Sequence, residues 1–121
     1  MEKPHKKLKA WQLGMDIAVD VYNATYSFPV EERFELTSQM RRCGVSIPSN
    51  IAEGAARNSK KEFVNFLYIS SGSLSELDTQ LELSKRLGFT DNQRWKELDE
   101  KLIEEDKVLS GLIRSQKESI K

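Results

Sequence analysis

The sequence predicts an all-α fold, an antiparallel up-down-up-down four-helix bundle with a proline-kinked second helix. Only three prolines and six glycines occur in 121 residues, and no alternating β-branched run of useful length interrupts the chain. Apolar residues instead recur at steps of three and four along four segments. Short connections separate these segments, so neighbouring helices run antiparallel. Each helix of about 25 residues would span about 37 Å. Residues 8–120 form the bundle domain, and residues 1–7 read as a flexible N-terminal tail.

In the first helix, Leu8, Trp11, Met15, Ala18 and Tyr22 mark the buried stripe, widened by Ile17, Val21 and Ala24. Pro29 ends this segment, because the residue before a proline is pushed out of the helical region. The second helix runs from about Val30 to Ala56, with Glu31 and Glu32 favoured by the macrodipole of its first turn. Its stripe is Leu36, Met40, Cys43, Ile47, Ile51 and Gly54. Ser59 and Glu62 have the spacing of a capping box and open the third helix. Its stripe is Phe63, Leu67, Ser70, Leu74, Leu77, Leu81 and Ser84. Gly88 closes that helix in a left-handed cap, with Phe89 folding back. Thr90 or Asp91 caps the fourth, whose buried side is marked by Trp95, Leu98, Leu102, Leu109, Leu112 and Gln116.

Charged residues make up 31% and apolar residues 38% of the chain, a globular balance. No apolar run is long enough to span a membrane. The start, MEKPHKKLKAW, lacks the apolar region of a signal peptide, and the expected location is cytoplasmic. The single cysteine, Cys43, excludes an internal disulfide framework. Formal net charge is zero but unevenly spread. Residues 1–61 hold ten Lys and Arg against seven Asp and Glu, and residues 62–121 hold nine against twelve. Binding to nucleic acid would therefore have to come from a local patch.

The stretch SIPSNIAEGAARNSKKEF, Ser46–Phe63, places Pro48 inside a helical pattern. Pro48 cannot donate to the Gly44 carbonyl, so a kink near Gly44–Pro48 or a break restarted by Ser46 or Ser49 is expected. The small side chains of Val45, Ala52 and Ala56 beside it would admit a neighbouring helix closely, and Ser70-Ser71-Gly72-Ser73 offers a matching zone. The kink serves either packing within one subunit or the shape of a subunit interface. Ser46, Asn50, Glu53 and Arg57 share one polar strip, extended by Gln39 and Arg42. That strip is either a solvated face with weak i,i+4 pairs or a set of contacts between helices or subunits.

Leu36–Gly88 resembles the four-helix-bundle family of the 23S rRNA intervening-sequence protein, also called S23-like, which includes the accessory variability proteins of diversity-generating retroelements. The resemblance rests on S-I-P-S-N-I-A-E-G at Ser46–Gly54, the basic S-K-K-E-F element ending at Phe63, and F-L-Y-I-S-S-G-S-L-S-E-L at Phe66–Leu77. L-K-A-W-Q at Leu8–Gln12 and the F-P-x-E-E-R element at Phe28–Arg33 fit as well. The resemblance implies a left-handed bundle and assembly into a ring, commonly a homopentamer. It also implies an association with rRNA genes or, in the retroelement relatives, nucleic-acid binding through a strongly basic surface. The balanced charge of this chain departs from that last pattern.

Three function classes compete. Catalysis is poorly provided for. His5, the lone histidine, lies in the tail, and Cys43 sits on an apolar stripe where a thiol is inert. No Glu-x-x-His pair and no phosphate-cradling glycine loop occurs, and Glu104-Glu105-Asp106 reads as solvated. No metal or cofactor is expected. For nucleic acid, the candidates are Arg41, Arg42, Arg57, Lys60 and Lys61, supplemented by Lys6, Lys7 and Lys9. Arg57, Lys60 and Lys61 cluster at a helix boundary whose free backbone donors add to anion attraction. No helix-turn-helix or aromatic stacking platform is visible. For assembly, the breadth of apolar coverage in Ile17, Val21, Phe66, Tyr68, Ile69 and Leu83 fits either a wider core or an interface. The leading expectation is a non-enzymatic homo-oligomeric scaffold contacting RNA or DNA phosphate, with Gly44, Ser46, Pro48, Asn50, Glu53 and Gly54 as its structural motif. The alternative is an adaptor for a protein partner that ignores nucleic acid.

Overall fold

The structure, a computed structural model, describes residues 1–120. It is all-helical: α1 spans Lys9–Thr25, α2 Leu36–Ala55, α3 Lys60–Arg86 and α4 Asn92–Glu118. Single 3-10 turns cover Pro4–Lys7 and Val30–Glu32. Among the described residues there is no strand, and no helix is long and apolar enough to cross a membrane.

The helices contact one another in a ring. α1 packs on α2 and α4, and α3 packs on α2 and α4, with no close backbone approach across either diagonal among the described residues. At each seam, high numbers on one helix meet low numbers on the next. Gly14 faces Ile47 and Pro48 while Gly44 faces Ala18 and Val21. Ser70 reaches Ile47, whereas Ser73 reaches Ser46. Lys85 lies over Trp95, and Lys117 over Tyr68. The Lys9–Glu104 and Asp20–Lys101 ion pairs join α1 to α4.

The stripes of α2 and α3 enclose the core. Leu36, Met40, Cys43, Ile47 and Ile51 are buried with Leu67, Leu74, Leu77 and Leu81. The caps follow the sequence reading. Ser59 Oγ accepts from Glu62 N at 3.1 Å, and Asp91 Oδ1 accepts from Arg94 N at 2.8 Å. Gly88 has φ +76°, and Phe89 N donates back to Ser84 O. Thr90 is not the cap; its hydroxyl is buried 2.8 Å from Ser84 Oγ.

Three expectations need correction. First, α2 begins at Leu36, not Val30. Pro29 is extended and starts a separate 3-10 turn, and Glu35 at φ −114°, ψ −110° is outside the helical region. Second, the α1 stripe is only partly as expected: Ile17, Ala18, Val21 and Ala24 are buried, but the inward face is rotated toward Ala10 and Gly14. Met15 and Tyr22 are 41% and 47% exposed. The small side chains of Ala10 and Gly14 let α2 approach, and interaxial distance follows side-chain size. Ile17 and Val21 are therefore core, not surplus surface, while Tyr68, Ile69 and Leu83 are exposed. Third, of the two outcomes expected at Pro48, a kink or a break, the break does not occur. α2 runs unbroken through it, and the proline is buried. Ahead of α1, the expected tail carries the Pro4–Lys7 turn, with His5 edge-on to Trp11 at 5.3 Å.

Candidate nucleic-acid interface

The connection from α2 to α3 is a tight corner. Ala56 N and Arg57 N close the end of α2 onto carbonyls of its last turn, and Ser59 starts α3. A Cβ on Gly54 would lie 2.6 Å from Phe66 Cβ and 3.0 Å from Phe63 Cδ1, so only glycine allows this approach. The corner presents Arg57, Lys60 and Lys61 to solvent. Arg57 is already engaged. Its guanidinium pairs with Glu53 at 3.3 Å and lies 4.8 Å from the Phe66 ring centroid. Among the described residues, Lys60 and Lys61 form no ion pair. Their exposed ammonium groups stand in the first turn of α3, whose leading backbone donors favour an anion.

Arg41 and Arg42 form a second group. About 20 Å of helix separates Arg42 from the end of α2, more than two Debye lengths at physiological salt. The structure thus does not join the five candidate cations into one patch. Arg41 is tethered toward α1, with Nε donating to Thr25 Oγ1 at 2.9 Å and its guanidinium 4.7 Å from the Tyr22 ring. Arg42 is exposed.

The residues around Pro48 divide between the two neighbouring helices. Gly44 and Pro48 face α1; a Cβ on Gly44 would meet Val21 at 3.4 Å and the Ala18 backbone at 3.6 Å. Ser46 and Asn50 belong to the α3 side. Ser46 Oγ lies 2.8 Å from Ser73 Oγ, and Asn50 Nδ2 donates to Ser46 Oγ and to Ser46 O, each at 2.9 Å. Ser70 Oγ donates to Ile47 O at 2.8 Å. The small zone on α3 therefore meets the polar strip and not Val45, which is exposed. Glu53 stays on its own helical surface, holding Arg57. Cys43 donates its thiol to Ser73 O at 3.0 Å, and burial, reinforced by Glu76, pushes it up to about 12.

One polar group overturns the expectation of a solvated acidic run. Glu105 is 0% exposed, and neither carboxyl oxygen has a hydrogen-bond partner among the described residues. Oε2 is 3.0 Å from where a Gly14 Cβ would stand, beside Ile47 and Pro48. Burial, with Glu104 adjacent, pushes its carboxyl up to about 8. The signal was present in the spacing. Leu102 and Leu109 lie one heptad apart, and position 105 between them falls on the buried face. Glutamate was assigned to solvent by residue type alone.

Fold and surface together define an all-helical bundle with a clustered cationic corner and a split polar motif on α2. Residues 6–111 match the model of the family described as 23S rRNA-intervening sequence protein, and the chain belongs to that family. A crystal structure of a protein of unknown function, from the S23 ribosomal protein family of Bacteroides thetaiotaomicron VPI-5482, has the same fold. It aligns with a TM-score of 0.79 at 24% identity, covering 87% of this chain and 95% of the other. Comparison with curated proteins gives no match.

Proposed function

We propose that this protein is a non-enzymatic, homo-oligomeric scaffold that associates with RNA by phosphate contacts. The observation that carries the reading is the α2–α3 corner. There Lys60 and Lys61, which form no ion pair among the described residues, share with Arg57 a turn fixed by Gly54 and the Ser59–Glu62 cap. Membership of the 23S rRNA-intervening sequence protein family supports an RNA partner over DNA. One corner binds weakly, and a ring of copies multiplies it by avidity without high charge per chain. The order of contacts around the ring supports an antiparallel up-down-up-down bundle; a left-handed crossing and a bend of α2 at Pro48 are part of the same proposal. A pentamer working in the cytoplasm, with neither metal nor cofactor, completes the reading.

A protein-adaptor function is favoured instead by one observation, the exposed row of Tyr68, Ile69, Leu83 and Leu87 on and after α3. Native purification separates the two. Recovery of nuclease-sensitive RNA with an oligomer whose mass by light scattering is a multiple of 13.9 kDa supports the scaffold. Recovery of a stoichiometric polypeptide free of nucleic acid supports the adaptor. A mass of one subunit across concentrations contradicts the ring.

A further inference from the structure

The end of α1, the Val30–Glu32 turn and the start of α2 enclose a surface feature that no single helical stripe reveals. A groove of about 660 Å³ runs along α2, lined by Tyr22, Arg33, Phe34, Arg41 and Arg42 with hydroxyl side chains between them. A second hollow of about 290 Å³ adjoins it, shares Arg33, Thr37 and Arg41, and carries Tyr26 at its rim. No carboxylate lines either one. Glu31 and Glu35 are nearby in sequence but do not enter the walls. The aromatic rings are unusually open, with Phe34 82% and Tyr26 86% exposed. The Tyr22 ring already holds the Arg41 guanidinium at 4.7 Å, so its face is oriented by a fixed cation.

Resting on the RNA reading above, we propose that this track binds single-stranded RNA, with bases on Phe34, Tyr26 and Tyr22 and phosphates on Arg33, Arg41 and Arg42. Open π-faces and cations together, with no acid in the walls among the described residues, are the chemistry of sequence-tolerant single-strand binding. A base stacked on Phe34 removes an exposed ring from water, which a phosphate contact alone does not. A duplex keeps its base faces covered by its own stacking, so it satisfies the arginines and leaves the rings open. Of the hydroxyl residues along the groove, Ser38 and Ser49 can meet the ribose 2′-OH, since Thr37 is buried and Ser46 is held by Ser73 and Asn50. The α2–α3 corner, with no open ring of comparable exposure, offers phosphate contact only. The two regions therefore predict different ligand preferences.

Fluorescence anisotropy with a labelled single-stranded oligouridine of about ten nucleotides, within the range one such platform covers, makes the test. A duplex of equal length serves as competitor, and Phe34→Ala, Arg33→Gln and the Lys60→Gln/Lys61→Gln pair serve as variants. Both groove substitutions fall on exposed side chains, and circular dichroism verifies that each folds. We expect the single strand to bind tighter than the duplex, and Phe34→Ala to weaken it roughly 5- to 150-fold, the span for one stacked base. Equal affinity for the two forms with Phe34→Ala unchanged overturns the proposal. Loss of binding in the lysine pair but not in the groove variants also overturns it and leaves the corner reading standing. Absence of binding by every protein removes both. A fall in oligomer mass on Phe34→Ala assigns this face to contact between copies and overturns the single-strand site.

Discussion

Between α2 and α3, Ser70 donates to Ile47 O, Ser46 meets Ser73, Asn50 braces Ser46, and the Cys43 thiol is held by Ser73 O. On the opposite side of the bundle, α4 pushes Glu105 against Gly14 of α1 with both carboxyl oxygens unpartnered. Both seams place polar atoms at the level of Pro48, yet one is satisfied and the other is not. Satisfied buried groups fix register, whereas an unsatisfied charge is costly and shifts its protonation instead. The helix pair that carries the cationic corner is thus the one locked by hydrogen bonds, and the remote seam is the one tied to pH.

The largest expected effect breaks the comparison at its weak side. Glu105 has its folded-state pKa raised to about 8 from an ordinary 4.5. The folded state therefore holds a proton that the unfolded chain releases. Its stability is fully present below pH 4.5 and is lost as pH rises to about 8. Within that window the loss is about 1.4 kcal/mol per pH unit. Urea midpoints measured across the window should decline in the native protein and flatten in Glu105→Gln. Equal pH profiles for the two would show that this carboxyl is not the source.

A smaller effect is expected where α3 packs directly on Gly54 of α2. Gly54→Ala drives a methyl into Phe66 and Phe63 and should cost about 1–3 kcal/mol by overpacking. Thermal unfolding reads the loss, and weaker RNA binding should accompany it because Lys60 and Lys61 ride on the same turn. The smallest effect is expected at Ser70→Ala. That change removes the hydroxyl donated to Ile47 O and should cost about 0.5–1.5 kcal/mol, the net value of one hydrogen bond. A Ser70→Ala loss equal to that of Gly54→Ala would place the stabilising role of the seam in the hydroxyl instead of the close approach.

How far the sequence was legible varies by helix. The α2 stripe was readable in full, because six positions from Leu36 to Gly54 keep helical period and all are buried. The caps at Ser59, Gly88 and Asp91 were readable because each rests on local backbone chemistry. The α1 face was read only in part: Ile17, Ala18, Val21 and Ala24 are buried as expected, but the inward residues also include Ala10 and Gly14, which carry little hydropathy. Large neighbours such as Met15 and Tyr22 dominated the pattern and turned out exposed. Glu105 had the right spacing and the wrong residue type. The aromatic track escaped because Tyr22, Phe34 and Arg42 come from three local segments, and only the tertiary fold sets them side by side. The separation of the five cations was visible along the chain, where Arg57, Lys60 and Lys61 cluster at a helix boundary well after Arg41 and Arg42.

The most direct test of phosphate recognition from the α2–α3 corner is a salt titration of binding to a mixed-sequence RNA hairpin. The predicted result is a linear fall of log affinity with log salt concentration, whose slope grows with the number of phosphates neutralised and shrinks in the Lys60→Gln/Lys61→Gln protein. No binding at low salt, or a slope unchanged by removing both lysines, would contradict it.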